Sequence, residues 1–373
     1  MTPKSIARLA GAFVLAIAIM FVMGSALIPN TAHAQIAGRT VDEPSPQAGN
    51  VPGGHLGTAS DSDLWRQVRR GLRGTVSIPD KQAGVMIQSE GDNWRAWRNG
   101  PMTVGGAWAL LGMVGLLALF FVVRGRIRID AGASGHTVER FNGVERIVHW
   151  LTAVSFILLA LTGLNLLYGR HILLPVLGAD IFATLTLAGK YVHNFVSFAF
   201  MLGIVLMFVL WMRHNLPSRS DLVWLAKGGG LFVKGVHPPS RKFNAGQKIL
   251  FWIIVLGGLS LTVSGISLLF PFEISVFSAT FSVLNVFGFG LPTDLAPMQE
   301  MQLSQLWHTA VGLILMAVVV AHIYIGSLGM EGAFDAMGSG RVDENWAREH
   351  HNLWVAEVKG ESDDGHGSVH PAE

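Results

Sequence analysis

The sequence predicts an all-α integral membrane protein, because its composition is apolar and its apolar residues are grouped into long segments. Half of the 373 residues are hydrophobic and only 14% are charged, whereas soluble domains carry about 25% charged residues. Five segments of about 20 apolar residues are each long enough to cross a bilayer as a helix. These predicted spans are residues 104–123, 147–168, 192–212, 249–272 and 306–328.

The first 34 residues predict a secretory signal. Lys4 and Arg8 precede a long apolar run, and the small residues Ala32 and Ala34 mark a cleavage point. The alternative is an uncleaved membrane anchor, since the run is long for a signal. With either alternative, the chain that follows begins outside the cytoplasm.

Residues 35–103 are polar and predict a periplasmic linker and docking segment. The first part is rich in Gly and Pro and is typical of a flexible linker. The second part mixes tryptophans and aliphatic residues with arginines, yet it is too short to bury a core alone. It is therefore interpreted either as a docking arm for a partner subunit or as a small surface-lying subdomain.

The distribution of basic residues predicts the orientation in a bacterial-type inner membrane. Residues 124–146 contain five arginines and residues 213–248 contain seven Lys or Arg, whereas residues 271–305 contain none. By the positive-inside rule the first two loops are cytoplasmic and the third is periplasmic. The C-terminal tail, 329–373, is then cytoplasmic. Long translocated segments such as 35–103 are largely exempt from this rule.

Four histidines lie inside the later spans, which otherwise contain no Asp, Glu, Lys or Arg: His149, His193, His308 and His322. His308 and His322 are fourteen residues apart, so on one helix they share a face about 21 Å apart. The predicted orientation places His149 and His322 near the cytoplasmic side, and His193 and His308 near the periplasmic side. The histidines are thus paired by depth.

Two imidazoles on facing helices are the way in which a helical bundle holds haem. The pairing therefore predicts two b haems in a four-helix transmembrane bundle over 147–328, with 104–123 as one additional N-terminal transmembrane helix. Packing histidines and a proton relay are alternatives. Zinc needs three or four ligands at one point, which two pairs about 21 Å apart cannot supply. Because the chain has no cysteine, any iron–sulfur donor is on another chain.

Several stretches resemble, in the same order, the gamma subunit of respiratory formate dehydrogenase, a dihaem cytochrome b that anchors that complex in the membrane. The resemblance covers about residues 138–355. It rests on residues 145–150, 190–193, 242–248, 306–312, 321–324 and 345–351. Hydrogenase and thiosulfate-reductase cytochromes b have a similar histidine pattern, and the Asn-Ala-Gly-Gln run at 244–247 favours formate dehydrogenase.

The resemblance implies electron transfer from an iron–sulfur subunit, fed by a catalytic formate dehydrogenase subunit, through both haems to a quinone. It places the quinone by the cytoplasmic-side haem, at Asn244, Gly246 and Gln247. Amide side chains can hydrogen-bond a quinone without bringing charge into lipid, although Asn244 is equally suited to cap a helix. The basic residues Arg146, Lys190 and Lys248 are candidates either for haem propionates or for interface cations.

The chain itself is not expected to oxidise formate, since nothing in it suggests a site for a molybdenum or tungsten cofactor. No nucleic-acid partner is expected. Other candidate functions are a cytochrome b of another respiratory complex and a haem-free proton-coupled transporter, against which the spans show no convincing inverted repeat. The span 104–123 is absent from shorter family members and has no histidine or charge, so it is expected to pack outside the haem bundle.

Overall fold

The structure is a computed structural model, and it describes residues 90–360 together with two short strands at 74–75 and 85–87. The predicted signal at 1–34 and most of the predicted periplasmic segment at 35–103 lie outside the described residues. The last residues of the predicted tail, 361–373, also lie outside them.

The described chain is mostly helical. Its elements in order are β1 (Gly74–Thr75), β2 (Val85–Ile87), α1 (Glu90–Trp97), a π-helical segment (Arg98–Gly105), α2 (Gly106–Arg124), β3 (Thr137–Glu139), α3 (Gly143–Ile172), α4 (Leu174–Leu177), α5 (Ala179–Trp211), a 3₁₀ turn (Met212–Asn215), α6 (Arg219–Ala226), a second 3₁₀ turn (Gly228–Gly230), α7 (Ala245–Leu269), α8 (Val276–Asn285), α9 (Pro297–Tyr324), a second π-helical segment (Ile325–Gly329), α10 (Asp335–Gly338), β4 (Arg341–Asp343), α11 (Glu344–His350) and α12 (Asn352–Lys359).

Five helical segments are long and apolar enough to cross a membrane, which confirms the predicted fold class and the order of the spans. They are Asn93–Arg124, Gly143–Ile172, Ala179–Asn215, Ala245–Leu269 and Pro297–Gly329. The helices run past the apolar stretches at most ends, because hydropathy marks the lipid-facing part and not the hydrogen-bonded turns beyond it. Helix α7 instead ends at Leu269, two residues before Pro271, which has no backbone N–H with which to continue a helix.

Reciprocal capping fixes the starts of α3 and α7. At α3, the Asn142 side chain accepts a hydrogen bond from the backbone N–H of Glu145 at 2.9 Å, and the Glu145 carboxylate accepts from the N–H of Asn142 at 3.0 Å. At α7, the backbone N–H of Gln247 donates to the Asn244 side chain at 2.9 Å, and the backbone N–H of Asn244 donates to the Gln247 side chain at 3.1 Å. The loops that precede α3 and α7 therefore each end in a defined turn, in which a backbone N–H at the start of the helix has a hydrogen-bond acceptor.

The described residues divide into two compact units, the first with those up to residue 104 and 263–310, and the second with residues 105–262 and 311–360. In the first unit, the carboxylate of Glu300 accepts hydrogen bonds from the backbone N–H groups of Phe277 and Ser278 at 2.8 and 2.6 Å. The Trp94 indole donates to the Gln305 side chain at 2.9 Å. These contacts fix the start of α8 and join the first span to α9.

In the second unit, the helices approach closely at glycines. A Cβ at Gly203 of α5 would collide with Thr152 of α3, and a Cβ at Gly257 of α7 would lie 2.8 Å from Leu315 of α9. Gly106 places the first turn of α2 directly against Leu313, with Tyr168 also in contact. The extra span thus contacts α9, the helix that carries His322.

Outside the spans, residues 126–142, 235–243 and 330–360 fold together in the second unit; we call these residues the extramembrane region. Strands β3 and β4 pair antiparallel, with Val138 opposite Val342, and Ile127 forms a parallel bridge with Met330. Segments that the sequence analysis treated separately, the loop 124–146 and the tail 329–373, are therefore joined by hydrogen bonds.

A buried arginine organises the extramembrane region. The guanidinium carbon of Arg140 lies 5.1 Å from the ring centroids of both Phe141 and Trp346. Its Nη2 donates to the Lys242 carbonyl at 2.8 Å and to the Gln247 side chain at 3.3 Å. Burial lowers the pKa of Arg140 to about 9. The side chain remains charged at neutral pH and ties α7 to the C-terminal helices.

Candidate functional site

His149 and His322 face each other in the second unit, His149 from the start of α3 and His322 from the end of α9. Their ring centroids are 6.2 Å apart and the rings are inclined at 68°. An imidazole nitrogen binds a transition metal at about 2 Å and the ring centroid lies about 1 Å further, so two rings that share one metal have centroids about 6 Å apart. The separation therefore suits one metal ion between the two rings.

A buried nitrogen without a partner supports this fit. His149 Nδ1 is buried and has no hydrogen-bond partner among the described residues, and its ring meets Trp150 edge-on with centroids 5.4 Å apart. Buried polar groups are nearly always hydrogen-bonded, and an exception needs a physical reason. The residues thus fit a site in which His149 contacts a bound group.

His193 and His308 each lie against a hydroxyl and a glycine. In the second unit, His193 Nδ1 is 2.8 Å from Thr162 Oγ1 of α3, and a Cβ at Gly163 would lie 3.7 Å from the histidine ring. In the first unit, His308 Nδ1 is 3.0 Å from Ser264 Oγ of α7. A Cβ at Gly265 would lie 3.3 Å from that ring.

Thr162 and Ser264 were not among the site residues predicted from the sequence. The available signal was a hydroxyl residue followed by glycine within an apolar span, a pair that occurs at 162–163 and at 264–265. Each histidine is hydrogen-bonded at Nδ1, the arrangement by which a metal-ligating imidazole is commonly oriented. A metal would then bind through Nε2.

The predicted quinone residues lie at the start of α7, where two of them perform a structural task. Asn244 and Gln247 form the reciprocal cap described above, so the capping alternative applies to both side chains. A Cβ at Gly246 would lie 2.9 Å from the Trp224 indole. The glycine therefore allows Trp224 to lie against the helix.

The basic residues at the span ends bind protein groups. Lys248 is buried and its Nζ lies 2.8 Å from the Asp221 carboxylate and 3.0 Å from the Leu216 carbonyl. Burial raises the pKa of Asp221, but hydrogen bonds from Lys248 and Ser218 outweigh it and hold the pKa below its usual value. Arg146 donates to the carbonyls of Met337 and Gly338. Lys248 and Arg146 thus have structural partners of their own.

A separate group of three potential metal ligands lies in the extramembrane region: Asp130, His237 and Glu349 have ligand atoms within 4.8 Å of one another. Hydrogen bonds to the backbone account for the positions of the two carboxylates. The Glu349 carboxylate accepts from the N–H groups of Asp130 and Ala131 at 3.0 and 2.9 Å. The Asp130 carboxylate accepts from the N–H of Gly235 at 3.1 Å. The group joins two loops to α11.

Five apolar helices and histidines held inside them define the chain as a multi-pass membrane protein of the cytochrome b class. The sequence profile described as prokaryotic cytochrome b561 matches residues 140–340, more than half of the chain. The chain belongs to this family. Haem b is accordingly its cofactor, and all four histidines of the spans lie within the matched residues.

The chain is also similar to formate dehydrogenase cytochrome b556 subunits over most of the length of those proteins. The chain is 29% identical over 237 residues to the nitrate-inducible formate dehydrogenase cytochrome b556(Fdn) subunit of Escherichia coli K12, covering 61% of this chain and 97% of that protein. It is 30% identical over 224 residues to the formate dehydrogenase cytochrome b556(fdo) subunit of the same strain, covering 60% and 94%. The formate dehydrogenase cytochrome b556 subunit of Haemophilus influenzae is 27% identical over 223 residues, covering 59% and 83%.

Proposed function

We propose that the chain is the membrane-anchoring cytochrome b subunit of a formate dehydrogenase complex and that it passes electrons from an iron–sulfur subunit to quinone. The facing pair of His149 and His322, with centroids 6.2 Å apart, carries the electron-transfer part of this proposal. The formate dehydrogenase part is supported by relatives of that name whose chains are matched over 94% and 97% of their length.

The proposed cofactors are two b haems, one held by His149 and His322 and the other by His193 and His308. Haem supplies a one-electron redox centre, which a chain without cysteine cannot build from thiolates. The protein's part is to fix the imidazoles, and the hydroxyls of Thr162 and Ser264 hold two of the four. Apolar helices around the ligands exclude water.

The proposed quinone site is at Asn244, Gly246 and Gln247. The cap of α7 uses Oδ1 of Asn244, so its amide Nδ2 is the group proposed to donate to a quinone carbonyl. Gln247 Oε1 likewise accepts from Arg140 and from the backbone, so its Nε2 is the equivalent group proposed to donate.

The proposed orientation places the extramembrane region in the cytoplasm and residues 35–103 and 271–305 in the periplasm. It is supported by the basic loops that precede α3 and α7 and by the absence of Lys and Arg from residues 271–305. Reporter fusions after residue 90 and within 271–305 are expected to report periplasm, and fusions within 213–248 and after residue 331 to report cytoplasm. A cytoplasmic reporter at residue 90 would exchange the sides of the two haem pairs.

The proposed partners are an iron–sulfur subunit and a catalytic formate dehydrogenase subunit. Formate is oxidised on the catalytic subunit, so the purified chain is expected to have no formate dehydrogenase activity. In membranes that contain the whole complex, formate should reduce the haems. Reduction by hydrogen in place of formate would assign the chain to another respiratory complex.

A pyridine haemochrome assay on the purified chain tests the central claim. Two b haems per chain are expected, because two pairs of histidines are available. A chain that is folded and free of haem would exclude the proposed function and favour the proton-coupled transporter.

A further inference from the structure

Two histidines each contact a hydroxyl residue and the glycine that follows it, and the two hydroxyl–glycine pairs lie on different helices. Thr162 and Gly163 of α3 meet His193, whereas Ser264 and Gly265 of α7 meet His308. In each case the hydroxyl lies at Nδ1 and the following glycine lies against the ring. A single hydroxyl beside a histidine is common and indicates little. The same hydroxyl–glycine pair beside two histidines on different helices indicates a common role in positioning the two rings.

The direction of the hydrogen bond at His193 follows from counting protons. The Thr162 hydroxyl has one proton, and the carbonyls of Leu158 and Leu159 lie 2.8 and 3.0 Å from Oγ1. A carbonyl can only accept, so the hydroxyl donates to its own helix and accepts from the Nδ1–H of His193. This fixes the tautomer in which Nε2 has the lone pair that a metal needs.

The glycines set the position of the rings. A Cβ at Gly265 would be 3.3 Å from the His308 ring, tighter than an ordinary contact, and a Cβ at Gly163 would be 3.7 Å from the His193 ring. Without side chains at these positions, each imidazole can lie directly on the neighbouring helix. Its Nδ1 then reaches the hydroxyl one residue earlier.

The hydrogen bond at Nδ1 also has an electronic effect. An imidazole that donates a hydrogen bond from Nδ1 is a more basic ligand than one that does not, and a more basic ligand favours the ferric state of iron.

We propose that Thr162 and Ser264 are positioning residues that lower the reduction potential of the haem ligated by His193 and His308. This rests on the proposed haem ligation. A hydroxyl that accepts from Nδ1–H makes the imidazole a more basic ligand and so stabilises the ferric state of that haem relative to its ferrous state.

The test is a redox titration of the complex with Thr162→Val and Ser264→Ala, with low-temperature electron paramagnetic resonance of both ferric haems. Each variant is expected to retain two haems and to raise the potential of the same single component. The g values of that component should also shift, and the double variant should shift further. Thr162→Ser, which keeps the hydroxyl, should match the wild type.

A control hydroxyl separates this effect from general packing. Thr262 of α7 donates to the Gly258 carbonyl at 2.9 Å in the manner of Thr162, so Thr262→Val is expected to leave both potentials unchanged. Two retained haems with unchanged potentials in Thr162→Val and Ser264→Ala would overturn the inference and leave the proposed function standing. A wild-type chain without haem would instead overturn the proposed function.

Loss of haem from a variant is also decisive. If Thr162→Val or Ser264→Ala loses one haem, Thr162→Ser and Ser264→Thr distinguish the causes. Retention of both haems at the wild-type potential would support a requirement for the hydroxyl. Loss in these two variants as well would contradict it, because a hydroxyl would then not suffice.

Discussion

Buried polar side chains differ in kind between two regions of this molecule. In the extramembrane region buried charges are compensated: Glu145 at its edge accepts from Trp211 and from Lys242 at 2.9 and 2.6 Å, and Arg140 has two acceptors and two aromatic faces. The apolar parts of the last four spans contain no Asp, Glu, Lys or Arg. Among the described residues both regions retain buried atoms without a partner, such as Arg140 Nε in the first and His149 Nδ1 in the second. Since an uncompensated buried charge is far more costly than an unpaired neutral group, the comparison teaches that charge is buried where partners surround it, whereas the spans bury imidazoles in place of charged side chains.

The largest expected effect is the loss of a whole cofactor from the spans. His149→Ala or His322→Ala should each remove one of two haems, because that haem would lose one of its two protein ligands to iron. His193→Ala or His308→Ala should remove the other haem. Haem per chain, measured by pyridine haemochrome, is expected to fall to about half of the wild-type value. Retention of two haems in His149→Ala and His322→Ala alike would remove these residues as ligands.

A substitution in the extramembrane region should cost stability and leave the haems in place. Arg140→Met deprives the Lys242 carbonyl and the Gln247 side chain of a buried donor, which should cost about 3 kcal/mol. Faster protease cleavage of residues 330–360 would report this loss. Arg348→Met is the matched control, since Arg348 pairs with Glu344 on the surface of α11, and exposed ion pairs contribute little to stability. Equal cleavage of both variants would contradict the central role of Arg140.

Low pH should loosen the extramembrane region through its buried histidines. Burial, and then the charges of His237 and Arg140, lower the pKa of His350 from 6.5 to about 4, and burial lowers the pKa of His351 further below 6.5. Between these values the unfolded region binds more protons than the folded one, so stability is lost as the pH falls below 6.5. The loss should approach about 1.4 kcal/mol per pH unit for each histidine.

Protease cleavage of residues 330–360 at pH 7.5 and pH 5 measures this dependence. His350→Gln should reduce the difference between the two conditions, because one of the two titrating groups is gone. A cleavage rate that does not change with pH, after correction for the protease itself, would show that these histidines are not buried as neutral groups.

The smallest expected effect concerns Asn244, which lies where the two regions meet. Asn244→Asp keeps the oxygen that caps α7 and removes the amide donor, so haem content and stability should stay unchanged. Reoxidation of the haems by quinone, followed by stopped-flow spectroscopy, should slow by about fivefold for a hydrogen bond of about 1 kcal/mol. Slow reoxidation in Asn244→Ala together with a normal rate in Asn244→Asp would assign the residue to capping alone.

The sequence predicted the spans because lipid imposes one solution on the backbone, a helix about 20 residues long. It did not identify Thr162 or Ser264, because a hydroxyl in an apolar helix usually bonds to its own backbone, as Thr152 does with Val148. Which hydroxyl meets a histidine depends on how the helices pack. The extramembrane fold was missed because Arg140 and Trp346 are brought together by no local pattern.

The pairing of β3 with β4 has a consequence for biosynthesis. Arg341 donates to the Thr137 side chain across 204 residues of sequence. At a translation rate of about 5–20 residues per second, the first strand leaves the ribosome roughly 10–40 s before its partner exists. Its hydrogen-bonding edge is exposed during that interval, while the spans between are inserted. Premature termination anywhere before β4 leaves this edge unpaired, which is a feature that quality-control proteases can recognise.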